Sequence, residues 1–292
     1  MTDTDLHPEL RPLLFSIAYR MIGSVSEAED TVQEAFLRYH RAQPADVESP
    51  KAYLSAVTTR LAIDHLRSAR ARREEYIGPW LPEPLLTDEG ATDPSAQAEL
   101  ADSLSLAFLV LLERLSPVER AAFLLREVFA YPYDEIAEVI GKSEDNARQL
   151  VSRARRHVDA ERPRFDVSRE AHEELTDRFL EATQSGDTDG LIALLAADVD
   201  TYTDGGGKVQ AARRPIHGRE RVARFMVTIA RPERGAAGIT LHRVDVNGQP
   251  GRMMVDAEGR PVGILTLDVA DGLVQTVRIV INPDKLTHLR GP

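Results

Sequence analysis

The stretch YDEIAEVIGKSEDNARQLVSRARRHV, Tyr133 to Val158, admits few folds. Ile136, Val139 and Ile140 share one side of a short helix, and Gly141 supplies a left-handed residue at which it can stop. Ser143 stands where an N-cap belongs, with Glu144 and Asp145 set against the dipole of a second helix. That helix puts Ala147, Leu150, Val151, Ala154 and Val158 on one face at helical spacing. Arg148, Gln149, Ser152, Arg153, Arg155 and Arg156 occupy its other face. An apolar stripe backed by guanidinium and amide groups suits a recognition helix in a DNA major groove. A solvated, arginine-rich helix in a bundle is the plainer alternative.

The helices upstream are marked by their start signals. Leu10, Leu13, Leu14, Ile17, Met21 and Ile22 form a stripe ending at Gly23, and Ser26-Glu27-Ala28-Glu29 reads as a capping box. The helix it opens buries Ala28, Val32, Ala35 and Phe36 and shows Asp30, Gln33, Glu34 and Arg38 to solvent. Ser49-Pro50 starts another, packing Tyr53, Leu54, Val57, Leu61 and Ile63. Across 38–73 eight bases face three acids, a formal +5. In a chain of net charge −11, DNA contact must come from such local patches. From Glu74 to Leu106 the charge reverses to −8 with no Lys or Arg. Inside that run, Pro79-Trp80-Leu81-Pro82-Glu83-Pro84 forces an extended course and carries the sole tryptophan. Apolar area left in water forfeits ~25 cal/mol per Å², so this segment is expected to dock on its own chain or a partner. A helix over Ala98–Leu115 follows, then a second capping box at Ser116-Pro117-Val118-Glu119.

From Ser168 the pattern becomes α+β. Helices are expected over Ser168–Ser185, around Leu191–Leu195 and over His217–Ala230, with a strand entering DTYTDGGGKV. Four strand-like runs then alternate with Asn247-Gly248, Glu258-Gly259 and Asp271-Gly272 turns, an antiparallel meander. The absence of cysteine excludes disulfides and thiolate metal sites. No signal peptide opens the sequence and no apolar run approaches ~18 residues, so a soluble cytoplasmic protein without cofactor or metal is expected.

The order of basic helical module, acidic linker and helix-turn-helix resembles the group-four, extracytoplasmic-function (ECF) sigma factors of bacterial RNA polymerase. EDTVQEAFLR (Glu29–Arg38) is similar to their region 2.1–2.2, SPKAYLSAVTTRLAIDHLRSARARR (Ser49–Arg73) to regions 2.3–2.4, and Leu115 to Arg156 to region 4. Residues 167–292 resemble a SnoaL-like cone, and WLPEP, DGGGK and NPDKL together resemble the SigJ-like subgroup that carries this domain. The implied fold is two all-α sigma modules followed by an α+β SnoaL-like cone with a curved antiparallel sheet. Its expected divisions are region 2 (1–75), acidic linker (76–105), region 4 (106–164) and the C-terminal domain (167–292).

The resemblance also assigns roles. Asp30, Gln33, Glu34, Phe36 and Leu37 would meet core RNA polymerase at the β′ clamp, with region 4 on the β flap. Arg60, Asp64, His65, Arg67 and Arg70 fall on the −10 helix. Thr59-Arg60 stands where many relatives carry an asparagine, so −10 base preference transfers poorly. Lys142, Asn146, Arg148, Gln149, Ser152, Arg153, Arg155 and Arg156 fall at the −35 reader, Arg155, Arg156 and Lys142 as phosphate contacts. The acidic linker would thread near the catalytic cleft, with Glu83, Asp88 and Glu89 imitating nucleic acid. Interdomain regulation is expected from Trp80, Leu81, Pro82, Glu83 and Pro84, from Asp204, Gly205, Gly206, Gly207 and Lys208, and from Asn282, Pro283, Asp284, Lys285 and Leu286. The C-terminal domain thereby reads as a regulatory lid. A sensor with an unidentified small ligand in its pocket, or an enzyme using Asp204, His217, His242, Asp245 or Asp268, are the other readings.

Overall fold

Glycine and serine set the helix ends in this computed structural model, which describes residues 7–42, 49–87, 103–161, 167–231, 233 and 237–291. The chain divides into two units, Met1–Glu75 with Phe108–Arg162, and Tyr76–Ala107 with Pro163–Pro292. Among the described residues no helix is long and apolar enough to cross a membrane.

In the first unit, α1 (Arg11–Ile22) stops at Gly23, whose φ is 74°. The cap of α2 (Val25–Ala42) departs from the expectation, because the Ser24 hydroxyl, not that of Ser26, accepts the Glu27 amide at 3.2 Å. The left-handed turn at Gly23 delivers Ser24 straight into the cap position, and Glu29 pairs with Arg11. Phe36 is 2% exposed and belongs to this unit's core, which removes it from any polymerase-facing surface. At the start of α3 (Pro50–Glu74), the Ser49 hydroxyl accepts the Ala52 amide at 3.2 Å. Its inward side is more polar than the apolar spacing suggested. Ser55, Thr58 and Thr59 are each 1% exposed or less, whereas Tyr53, Val57 and Leu61 are half-buried. Small hydroxyl residues let neighbouring helices approach, and the Thr59 hydroxyl is satisfied by the Ser55 carbonyl at 2.8 Å.

After α4 (Leu106–Leu112), the predicted capping box is present at Ser116 and Glu119, opening α5 (Pro117–Glu127). Residues 98–102 of the longer helix expected there lie outside the described residues. The helix-turn-helix is α6 (Tyr133–Ile140), Gly141 at φ 66°, and α7 (Glu144–Glu161). Ala122, Leu125, Ile136, Val139, Ala147 and Val151 form its core. The two helical groups pack as one unit through polar pins. Arg120 donates to the Met21 carbonyl (2.6 Å) and Glu113 (2.7 Å), and Tyr131 donates to the Ser55 hydroxyl at 2.7 Å. Arg120 is 3% exposed, and burial pushes its guanidinium down to about 9.

The second unit lays α8 (Arg169–Ser185), α9 (Thr188–Leu194) and α10 (Arg219–Ile229) on one face of a sheet. Its strands are β1 (Leu195–Asp204), β2 (Ile216–His217), β3 (Thr240–Val246), β4 (Gln249–Val255), β5 (Pro261–Ala270) and β6 (Leu273–Val280), in the order β2-β1-β6-β5-β4-β3. The expected all-antiparallel sheet is corrected to a mixed one, because β1 runs parallel to β6. The chain leaves β1 through β2 and α10, and the β3–β6 meander then brings its last strand alongside β1. Asn247-Gly248 and Asp271-Gly272 have positive φ at both residues, the geometry that matches strand twist in a two-residue hairpin. Phe179, Leu191, Val222, Met226, Leu267 and Val277 lie in the core between helices and sheet.

His172 on α8 is 6% exposed, and burial pushes its imidazole below the ordinary value of 6.5, with the Asp268 carboxylate opposing. Above pH 6.5 it is neutral whether folded or unfolded. Below that value the unfolded chain takes the proton first, so stability falls as pH falls. The melting temperature of the full chain should therefore drop on going from neutral to mildly acidic buffer, and His172→Gln should flatten that drop. An identical slope in the variant would refute this.

Candidate nucleic-acid interface and strap latch

On α7 the side chains divide as the sequence predicts. Ala147, Val151, Ala154 and Val158 are 1% exposed or less, and Lys142, Asn146, Arg148, Gln149, Ser152, Arg153, Arg155 and Arg156 are all exposed. Three of the arginines are held on their own unit. Arg148 pairs with Glu144 and lies 4.3 Å from the Tyr133 ring centroid, Arg153 sits 3.6 Å from Glu119, and Arg155 bonds Glu127 at 2.6 Å. Such pairs hold the guanidinium planes in place at little net energy. The Gln149 side chain has no partner among the described residues.

The expected −10 residues are arranged less uniformly. Arg60 donates to two main-chain oxygens at the end of α6, Val139 (3.0 Å) and Glu138 (2.9 Å), where carbonyls lack the amides of a further helical turn. Asp64 and Arg67 pair with one another at 3.0 Å on the surface, and His65 lies 3.4 Å from Glu27 of α2. The Arg70 side chain lies outside the described residues. On α2, Asp30 and Gln33 are exposed and Glu34 and Leu37 are half-exposed, with Glu34 accepting from Arg38 at 2.8 Å.

The three C-terminal motifs meet at one carboxylate. Asp204, fully buried at the end of β1, accepts from the Tyr76 hydroxyl (2.5 Å), the Leu81 amide (2.8 Å), the Gly206 amide (3.1 Å) and the Lys285 ammonium (2.7 Å). Lys285 also donates to the Leu81 carbonyl, and its ammonium stands 4.3 Å from the Trp80 ring centroid and 5.1 Å from that of Tyr76. Burial, then the bond to Asp204, holds the Tyr76 phenol above its ordinary range, so it remains a donor. The Asn282 amide donates to Tyr76 at 2.9 Å, and its carbonyl accepts the Asp284 amide at 3.2 Å. Gly206, at φ 59°, lies so close to Asn282 that a Cβ would collide with the amide. Lys208 pairs with Asp284 at the surface.

The rest of the strap is fastened along the same unit. Leu81, Pro82, Glu83 and Pro84 are buried, and His288 lies 2.8 Å from the Pro84 carbonyl. Asn247 exchanges bonds with Leu85 (amide to carbonyl 2.8 Å; Leu85 amide to side chain 3.0 Å) and donates to the Leu104 carbonyl at 2.9 Å. Tyr76, Asn247 and His288 were missed by sequence reasoning. Tyr76 directly precedes the proline run, but a turn asparagine such as Asn247 gives no signal that its amide is spent on a distant segment. Asp88 and Glu89 lie outside the described residues, and Glu83 is 7% exposed within the strap, away from solvent.

A pocket of about 150 Å³ borders the latch, lined by Ile77, Thr203, Gly207, Val209 and Arg213 among others. The five acid–base candidates of this domain are separately engaged. Asp204 is in the latch, His217 lies 2.5 Å from Asp200, His242 lies 3.1 Å from Thr240, Asp245 holds Arg169 and Asp268 holds Arg278. Among the described residues no three His, Asp or Glu side chains are grouped to hold a metal ion.

Residues 6–72 match the family model for Sigma-70 region 2, and residues 105–158 that for Sigma-70 region 4. The chain is 41% identical over 286 residues to the ECF RNA polymerase sigma factor SigJ of Mycobacterium tuberculosis, covering 95% of this chain and 91% of that one. It belongs to the ECF RNA polymerase sigma factors. A probable ECF sigma factor of that species, SigI, is 34% identical over 96% of this chain and 93% of its own. The crystal structure of SigJ superposes with a TM-score of 0.76 at 38% identity, covering 96% of each chain. As a sigma factor, this protein binds core RNA polymerase and directs transcription from promoter DNA. The helix-turn-helix lies within its region 4, and α3 within its region 2.

Proposed function

We propose that the C-terminal domain of this sigma factor controls its activity in cis by clasping the segment that joins region 2 to region 4. Asp204 carries this reading. Its four donors come from the strap, the DGGGK turn and the NPDKL segment, with Lys285 209 residues beyond Tyr76 in the chain. A polypeptide clasped at Leu81 and Leu85 cannot at the same time follow a different path between two modules docked on polymerase. Closing the latch and engaging the enzyme therefore compete.

In this reading Asp30, Gln33, Glu34 and Leu37 meet the β′ clamp, and region 4 seats on the β flap in the cytoplasm. Each DNA-reading helix alone holds DNA weakly, and polymerase raises the effective concentration of one for its half of the promoter once the other is bound. The sensor and enzyme readings have less support. The pocket beside the latch is well below the ~300 Å³ at which small-molecule sites begin, and the candidate acids and histidines hold separate partners.

Run-off transcription with core polymerase tests the proposal by comparing the full chain, a chain ending at Pro283 and one ending near residue 165. Removing Lys285 and Leu286 should change promoter output in the same direction as removing the whole domain. Equal output from all three chains would sink it.

A further inference from the structure

The C-terminal unit carries a face of unpaired arginines that neither the latch nor the sigma modules explain. Arg213, Arg214, Arg219, Arg221, Arg224 and Arg231 stand against Glu220 alone within residues 213–231, a formal +5 in a protein of net charge −11. All but Arg219 are exposed, and none has a carboxylate partner among the described residues. Elsewhere in the unit the habit is opposite. Arg169, Arg243, Arg252, Arg260 and Arg278 each hold an Asp, leaving Arg178 and Arg290 as the exceptions among the described residues. Asp200 on β1 is taken by His217, and Glu233 follows Arg231 in the chain.

Helix geometry groups the charges. Val222, Ala223 and Met226 fix the inner side of α10 in the core at 2% exposure or less. Arg221 and Arg224 then fall about 60° apart on its exposed side at 3.6 residues per turn, and Arg231 follows just past the end of the helix. A solvated helix face in an acidic domain would mix its charges, because like charges at this spacing repel. We infer that this face is a docking surface for the phosphate backbone of promoter DNA, a third and sequence-independent contact beside the two reading helices. Arginines without acidic partners are free to replace condensed counterions, the source of backbone affinity.

The test uses holoenzyme made from the full chain and core polymerase, on a duplex enriched from a random pool by the wild-type holoenzyme. Affinity is followed between about 50 and 200 mM salt. Arg221→Gln/Arg224→Gln/Arg231→Gln should make the slope of log K against log salt shallower by about 2 to 3, at roughly 0.9 per lost phosphate contact. Arg178→Gln/Arg290→Gln, which removes unpaired charge elsewhere on the unit, should leave it unaltered. An unchanged slope in the triple variant would overturn the inference. So would an equal loss in the control, which would mark a long-range effect of net charge. Weaker binding to core polymerase with an unaltered DNA slope would overturn it too, and would assign the face to an acidic protein surface.

Discussion

Alanine in place of Asp204 is expected to free the strap and cost the C-terminal unit several kcal/mol. The carboxylate is fully buried with four donors on it, and its loss takes away the acid that the Lys285 ammonium, 6% exposed, is paired with. Removing one partner of a buried pair costs about 3–5 kcal/mol, a large share of a domain's ~5–15 kcal/mol. Trp80 reports the event directly. It is the only tryptophan and lies against Lys285, so its emission should shift to the red as the strap enters water. Proteolysis between Tyr76 and Thr87 should accelerate, and promoter output with core polymerase should change. Lys285→Met in the same chain separates instability from unlatching. The double variant no longer buries the ammonium of a broken ion pair and should regain most of the lost melting temperature. Its strap still lacks the Asp204 acceptor and should remain protease-sensitive. Unshifted tryptophan emission in Asp204→Ala would show that the strap is held without this carboxylate.

The second large effect is expected at Gln149. Its amide projects from the exposed face of α7 with no partner among the described residues, whereas Arg148, Arg153 and Arg155 are held by Glu144, Glu119 and Glu127. A bidentate amide contact to an adenine edge is worth about 1–3 kcal/mol of base discrimination. Gln149→Ala should therefore lower occupancy of the preferred −35 sequence by roughly 5- to 150-fold while leaving binding to unrelated duplex alone. Arg156→Ala should behave differently, weakening all sequences similarly and reducing salt sensitivity by about one contact. Competition binding of holoenzyme on matched and scrambled −35 duplexes reads both. Parallel losses on the two duplexes for Gln149→Ala would remove it from base reading.

The helix-turn-helix was largely legible because its signals are local. A glycine at φ 66°, a serine cap and an apolar stripe fix α6 and α7 from the residues alone. The capping box at Ser116 was visible for the same reason, while the one read at Ser26 missed by two residues because Gly23 brings Ser24 into place first. Long-range consequences were harder to see. Nothing around Arg60 announces that its guanidinium will cap a helix 78 residues away, and helical spacing could not reveal that Ser55, Thr58 and Thr59 would pack inward. The parallel pairing of β1 with β6 was hidden likewise, since hairpin signals describe neighbouring strands only. The latch lay in between. Its three motifs stood out by composition, but their convergence on Asp204, and the parts played by Tyr76 and Asn247, depend on the fold.

The latch also imposes an order in time. Lys285 grips Leu81 across 204 residues of chain, and Asn282 and His288 join it from the same late stretch. At ~5–20 residues per second a ribosome needs on the order of 10 to 40 s to travel that distance. Region 4 ends at residue 158, so for the last ~6–25 s of that interval both sigma regions are made while the clasp for the segment between them has yet to be synthesised. Each new molecule thus begins life unfastened, holding both sigma regions before it holds the latch.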